Sequence, residues 1–347
     1  MSFRTTCRRV LAPIVIPALA GMMAITAVPA LAAGPASPAS PALHQTARIA
    51  LGATSDAFSN IFTEAPDGTV FYSAGNVVHV VTGNSAPKIA VHAGGKVIAL
   101  AANAKDLFVQ VGLTITEYSR SHGSPVRHWQ TKATDNKPKD VTQAGLVSQG
   151  NTLWSWTDEA TDESGFEFGV LSRITITSAT VHLVDKAIYP ANVAANQSGL
   201  FFQDARGSAN SGFLVHVTPG GAQKARKSPV DTPMAIDGAK LFELGLNPNN
   251  GDQLLQGFST STLARTSSVK TSTFFENLDN TSAGLLVLAD NCKHGLSCSN
   301  ASVSKIAANG KTSGKLTVPF AFELLTGPFG AAVEFTKGHL FLVRIGA

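Results

Sequence analysis

Short runs of aliphatic and β-branched residues alternate along the chain with polar turns rich in Gly, Asn, Asp and Lys. No stretch keeps a 3.6-residue apolar period long enough for a helix, so the pattern predicts an all-β fold. One unit recurs within it: a polar turn, then an aliphatic residue followed by an aromatic one. The copies are Asp67-Gly68-Thr69-Val70-Phe71, Ala104-Lys105-Asp106-Leu107-Phe108, Gly150-Asn151-Thr152-Leu153-Trp154, Gln197-Ser198-Gly199-Leu200-Phe201 and Gly238-Ala239-Lys240-Leu241-Phe242. Two more are Ser282-Ala283-Gly284-Leu285-Leu286, with Leu in place of the aromatic, and Lys337-Gly338-His339-Leu340-Phe341. The aliphatic positions are 37, 46, 47, 41, 44 and 55 residues apart. A solenoid does not tolerate such drift, whereas a propeller absorbs it in its loops.

The dyad sits in a similar local order in most copies. An apolar segment precedes it: Asn60–Phe62, Val97–Leu100, Gly145–Val147, Asn192–Ala194, Pro233–Ile236 and Ala331–Val333. A third segment follows, as in Val77–Val81, Thr114–Tyr118, Leu171–Ile176 and Phe213–Val217, and a more polar fourth closes the unit, as in Lys88–Val91 or Val126–Trp129. Strands that grow more polar outward are what radial packing requires, because only the outer one meets water. The fold class expected is therefore a β-propeller of seven four-stranded blades over residues 44–347, with six or eight blades, or a pair of β-sandwiches, as the alternatives. The last repeat is expected to supply about two strands, Ala331–Phe335 and His339–Ile345. His44–Leu51 would then pair with them to close the ring and hide its edges.

The turn and strand Asp67-Gly68-Thr69-Val70-Phe71-Tyr72-Ser73-Ala74-Gly75-Asn76 resembles the repeat of secreted bacterial propellers of the NHL-repeat, streptogramin-lyase-like and quinoprotein-like superfamily. The resemblance implies a fold rather than an activity. The His and Glu constellation of a lyase of that type has no matching position, and the Trp-docking motifs of quinoprotein blades are absent.

Composition changes this picture at the N-terminus. Arg4, Arg8 and Arg9 precede an apolar run from Val10 to about Val28, and Ala30-Leu31-Ala32 forms a small-residue cleavage site. Residues 1–32 thus read as a signal peptide, by a general or a twin-arginine route, with an uncleaved anchor as the alternative. Residues 33–43 read as a Pro/Ala/Ser-rich linker. The whole chain has formal charge +4, but the three arginines belong to the signal, leaving 24 basic against 23 acidic side chains. That balance gives no charge-based case for nucleic acid. The expected product is a secreted, extracytoplasmic monomer without a membrane span. Cys7 also falls in the signal, and Cys292 and Cys298, in an exported chain, read as a disulfide.

Loop lengths point to a face. The connections after second strands, at Asp158–Phe166, Asp204–Ser211, Asn247–Gln253 and Asp290–Asn300, are long, and with the linker Thr131–Thr142 they emerge on one side. Long loops on a rigid scaffold are where binding usually lies. The candidate binding residues are Asp158, Glu159, Asp162, Glu163, Asp204, Arg206 and Asp252. Trp154 and Trp156 are assigned to blade packing, and His79, His182 and His216 to structure. No nucleophile elbow, His-Glu-x-x-His motif or phosphate loop is present, so no catalytic residue, metal ligand or cofactor is assigned. The function expected is non-catalytic binding of a protein, peptide or glycan. The alternative is an extracellular hydrolase or lyase with a site assembled from several blades.

Overall fold

The computed structural model describes residues 42–347 except 55–59, 133–142, 160–167, 179, 189, 205–211, 229–231, 248, 283, 290–300, 326, 328–329 and 347. The described residues form 28 strands and no helix, so none is long and apolar enough to cross a membrane. Strand β1 (His44–Ala53) comes first. Blade 1 follows as β2 (Phe62–Glu64), β3 (Val70–Ala74), β4 (Val77–Val81) and β5 (Lys88–His92). Blade 2 is β6 (Ala99–Ala102), β7 (Asp106–Val111), β8 (Thr114–Ser119) and β9 (Pro125–Gln130). Blade 3 is β10 (Gln143–Gln149), β11 (Thr152–Glu159), β12 (Phe168–Thr175) and β13 (Thr180–Ile188). Blade 4 is β14 (Pro190–Asn196), β15 (Gly199–Asp204), β16 (Phe213–Val217) and β17 (Gln223–Lys227). Blade 5 is β18 (Met234–Asp237), β19 (Lys240–Leu246), β20 (Gln253–Ser259) and β21 (Arg265–Lys270). Blade 6 is β22 (Asn277–Thr281), β23 (Gly284–Ala289), β24 (Ser302–Ile306) and β25 (Thr312–Thr317). The seventh blade takes β26 (Ala321–Leu325), β27 (Ala331–Thr336) and β28 (His339–Gly346) from the C-terminal end and β1 from the N-terminal end.

All seven sheets are four-stranded and antiparallel, which settles the fold as a seven-bladed propeller. Ring closure occurs through the expected segment. β1 runs antiparallel to β28 from His44 opposite Gly346 to Ala53 opposite His339. The Tyr72 hydroxyl of blade 1 then donates to the Leu51 carbonyl at 2.6 Å, tying the closing strand to its neighbour.

The dyad has a physical reason in this arrangement. Consecutive strand residues face opposite sides of a sheet, so the two members reach different neighbours. Leu107 packs with Phe71, Val78 and Val91 of blade 1, whereas Phe108 packs with Leu146, Leu153 and Ile174 of blade 3. Leu153 in turn faces blade 2, and Trp154 faces Leu200, Phe202 and Val215 of blade 4. The same division holds for Leu200 and Phe201, Leu241 and Phe242, Leu285 and Leu286, and Val70 and Phe71. One residue per dyad fills each inter-blade core, at about 2–3 kcal/mol for a fully buried large side chain.

Blade 7 corrects the repeat assignment. It draws three strands from the C-terminal end rather than two, and Leu340-Phe341 lies on its third strand. The second strand is β27, where Ala332 faces Leu286 of blade 6 and Val333 faces Val70 of blade 1. Small residues suffice there because Leu340, Leu342 and Val343 of β28 fill the same two cores. The 55-residue interval therefore marks a dyad on the wrong strand.

Candidate functional site

The path of each blade fixes two faces. Connections from second to third strands, and from each fourth strand to the next blade, emerge on one; the others emerge opposite. The first face carries the long connections: 160–167 in blade 3, 205–212 in blade 4, 247–252 in blade 5 and 290–301 in blade 6.

Of the residues expected there, Asp162, Glu163, Arg206, Cys292 and Cys298 lie outside the described residues, and so does the signal segment. Asp158 and Glu159 belong to the end of β11, paired in register with Gly169 and Phe168, rather than to a loop. Asp204, the last residue of β15, is fully buried. Asp252 sits in the 247–252 connection, where its carboxylate accepts from the Asn250 side-chain amide at 2.8 Å and pairs with Lys270 at 2.8 Å.

Apolar groups mark the same face. The large hydrophobics exposed among the described residues are Phe213, Leu246, Phe274, Ile89 and Val126. Phe213 opens β16, Leu246 ends β19, and Phe274 lies in the connection from β21 to β22. All three therefore belong to the loop-rich side of blades 4, 5 and 6, while Ile89 and Val126 sit on outer strands. Phe274 is 54% exposed although the next residue, Phe275, is buried in the core of blades 5 and 6. A buried anchor thus holds an exposed ring at a fixed place.

Beneath this patch lies a buried polar network. The Ser228 amide donates to the Gly212 carbonyl, next to Phe213, and its hydroxyl donates to Glu243 Oε1 at 2.7 Å. Gln203 Oε1 accepts from the Thr232 amide at 3.0 Å, and Gln203 Nε2 donates to the Thr232 hydroxyl. The network therefore fastens both ends of the linker between blades 4 and 5. Glu243 has no exposure, and burial pushes its carboxyl up to about 7 against the nearby donors and Arg226. Its Oε2 finds no hydrogen-bond partner.

A second charged cluster lies on the opposite face, where the ring closes. Glu64 ends β2 with its side chain fully buried, and Arg344 of β28 donates to its Oε1 at 3.2 Å and to the Gly68 carbonyl at 2.7 Å. Asp279 of β22 is 3% exposed and accepts from the Asn280 amide at 2.7 Å. Gly327, in the turn between β26 and β27, meets both acids. A Cβ there would lie 1.8 Å from Glu64 Oε2, and its amide acts on the Asp279 carboxyl. Burial raises both carboxyls, Glu64 to about 7 and Asp279 well above its ordinary value, and the nearby Glu64 charge adds to the rise at Asp279.

Elsewhere on this face, cationic side chains clasp neighbouring blades by their carbonyls. Arg127 donates to Ile176 at 2.6 Å, Arg226 to Leu263 at 3.0 Å and Lys224 to Ser261 at 2.9 Å, while Arg173 reaches Pro219. Two of the histidines assigned to structure stack on rings: His79 on Tyr72 at 4.9 Å and His216 on Phe201 at 4.3 Å, with His216 also bonded to the Ser198 carbonyl. Burial lowers the pKa of both. His182 is exposed on β13. No cluster of three or more potential metal ligands occurs among the described residues.

Sequence reasoning missed Glu64, Glu243 and Asp279. A signal was available for Glu243: it follows the dyad where other blades carry Tyr72, Val109, Ser155, Phe202 and Val287. Glu64 finds its partner, Arg344, on another blade more than 200 positions away, and Asp279 is set apart only by its burial.

No known family pattern matches the chain, and no curated protein matches it in sequence. Solved structures do. A chain of the mitotic checkpoint complex is similar at TM-score 0.60 and 12% identity, over 93% of this chain and 98% of that one. The Neurospora crassa Pan2 WD40 domain is similar at 0.57 and 10% identity, over 89% and 97%. Hydrazine synthase of Kuenenia stuttgartiensis is similar at 0.53 and 12% identity, over 82% and 94%. At such identities the likeness establishes the propeller fold and no more.

Proposed function

We propose that this is an exported propeller that binds a protein or peptide partner on the loop-rich face of blades 4 to 6, without performing chemistry on it. The observation that carries the reading is the exposure of Phe213, Leu246 and Phe274 on one face of consecutive blades. Aromatic and aliphatic anchors on a rigid frame supply most of the energy of protein recognition. The frame here is rigid for a stated reason, since the linker beneath the patch is pinned through Ser228 and Thr232 to Glu243 and Gln203. Export rests on the basic, apolar and Ala-x-Ala pattern of residues 1–32, and kinship with the NHL-like and streptogramin-lyase-like propellers rests on the Asp67-Gly68 turn.

A displayed random-peptide library selected on the purified protein tests this. Enriched peptides are expected to bind about tenfold or more weakly to a Phe213→Ser, Leu246→Ser, Phe274→Ser variant. An Ile89→Ser, Val126→Ser control should bind them unchanged. Peptides that lose affinity only in the control would move the site to the outer strands. Turnover of an ester, glycoside or lactone, abolished by one substitution on the face, would replace binding with catalysis.

A further inference from the structure

We infer that Lys224, Arg226 and Arg265 form a cationic cleft on the outer rim of blades 4 and 5, and that this cleft binds an acidic polysaccharide. The inference starts from where the charges lie. From residue 33 onward, basic and acidic side chains nearly balance, at 24 to 23. Yet the outer strands β1, β5, β9, β13, β17, β21 and β25 carry ten Lys or Arg and one acid, Asp185. The rim is basic although the domain as a whole is close to neutral. Lys224, Arg226 and Lys227 all fall within the short strand β17, and Arg265 and Lys270 lie on β21. One lysine is enough to guard an exposed strand edge, as Lys88 does on β5 and Lys315 on β25. The density on β17 exceeds that need.

Contacts bring three of these cations to one place. Alternate residues of a strand share a face, and Lys224 and Arg226 both turn toward blade 5. Lys224 Nζ donates to the Ser261 carbonyl at 2.9 Å and Arg226 Nη1 to the Leu263 carbonyl at 3.0 Å, both in the hairpin between β20 and β21. The Arg226 guanidinium also lies 5.4 Å from the centre of the Phe258 ring, and Arg265, two residues beyond Leu263, is the register partner of Phe258. The described acids of the two blades are placed elsewhere. Glu243, the acid that Arg226 acts on, is fully buried, and so is Asp204. Asp252 pairs with Lys270 on the loop-rich face, and Asp237 lies opposite Lys240 at the end of the innermost strand β18. Lys224 and Arg265 are exposed, and none of the three cations makes an ion pair among the described residues.

The lining selects among polyanions. A single-stranded nucleic acid needs aromatic platforms for its bases, and neither β17 nor β21 carries an aromatic residue. A lipid surface is held by apolar side chains that enter it as well as by charge. The one large aliphatic residue on these strands, Val269, packs against the core of blades 5 and 6 instead. What accompanies the cations is the exposed hydroxyls of Ser261, Thr262 and Thr266. Cations fixed on backbone carbonyls among hydroxyls suit the carboxylates and hydroxyls of an acidic sugar chain. The hairpin between β20 and β21 emerges on the face opposite Phe213, Leu246 and Phe274, so the inference stands apart from the peptide site.

Binding of the purified protein to immobilised alginate, a polymer of uronic acids, tests this, with neutral dextran as the blank. The wild type should bind alginate and not dextran, and should lose about tenfold in affinity between about 50 and about 200 mM salt. Lys224→Gln, Arg265→Gln, which spares the packed Arg226, should weaken alginate binding about five- to tenfold at an unchanged thermal midpoint. Lys88→Gln, Lys315→Gln removes the same charge from other outer strands and should change it less than about twofold. Equal losses in the two variants would mean diffuse attraction to a basic rim, and a folded wild type that ignores alginate would have no such site; either result overturns the proposal. Tighter binding to oligo(dT) or to phosphatidylglycerol vesicles than to alginate, lost in the Lys224→Gln, Arg265→Gln variant, overturns it in favour of nucleic acid or lipid. The Phe213→Ser, Leu246→Ser, Phe274→Ser variant should bind alginate as the wild type does, which keeps this outcome separate from that of the peptide selection.

Discussion

Arg48, on the closing strand β1, reaches across β28 and grips Glu334 of β27 through two hydrogen bonds, of 2.9 and 2.8 Å, while its guanidinium lies 3.4 Å over the Phe341 ring. One side chain from the N-terminal end thus touches two of the three strands from the C-terminal end. The side chains are 37% and 6% exposed, so the guanidinium meets solvent while the carboxylate is buried.

That asymmetry sets the first expectation. Arg48→Ala strands a buried carboxylate and should destabilise by about 2 kcal/mol, less than a fully buried pair because water reaches the arginine side. Arg48→Lys should recover part of this, since an ammonium cannot make the two-pronged contact. Urea unfolding decides it, and equal stability of all three proteins would exclude a role in closure.

Gly145 and Trp156 give the second. They are register partners on β10 and β11, and a Cβ on Gly145 would lie 1.9 Å from Trp156 Cζ2. The indole has covered the glycine, which is how a bare backbone position in an inner strand is shielded. Gly145→Ala must displace the ring, at a cost of about 1–3 kcal/mol, and should shift the tryptophan fluorescence to the red. An unchanged spectrum would show that the ring does not rest there.

Glu243 predicts a pH dependence of its own. Burial raises its carboxyl from 4.5 to about 7, so the folded state prefers the protonated form. Stability from this group is complete below the unfolded value and declines as pH climbs through about 7. Glu243→Gln removes the decline. Measured by denaturant unfolding, the difference between variant and wild type should move in the variant's favour between about pH 5 and about pH 8, by on the order of 3 kcal/mol at most. A difference that stays flat would mean that Glu243 remains charged in the fold.

The signature turn offers a contrast between partners. Arg120 is 11% exposed and donates to the carbonyls of Asn103 at 2.7 Å and Ala104 at 3.0 Å as well as to Asp67, which is 58% exposed. Asp67→Asn should therefore cost less than about 0.5 kcal/mol. Arg120→Ala, which leaves two carbonyls and the Phe71 ring uncovered, should cost about 1–2 kcal/mol. The ordering of the two midpoints is the measurement, and the reverse order would contradict it.

Much of the fold was legible in local pattern. The strands at Val77–Val81 and Phe213–Val217 match their predicted bounds, and closure by the segment after residue 43 follows from the missing strand of the last repeat. Blade 7 was misread because its second strand, Ala331–Thr336, carries small residues at the dyad, a choice made by bulky neighbours on β28. On the loop-rich face, acidic residues drew attention, yet Asp204 is buried and Asp252 is tied to Lys270. Nothing in local spacing separates a solvated carboxylate from one that ends a strand inside the core.

The sequence by itself determined the all-β class and the closing segment, because strand periodicity and turn chemistry act over a few residues, while the count of seven was fixed by the sheets of the tertiary structure. The tertiary structure alone decided which carboxyls are dry. Glu64 and Arg344 meet because seven blades close into a ring, and Glu64 and Asp279 are both buried there. Desolvation depends on what surrounds a group in space, and neighbours along the chain carry no record of it.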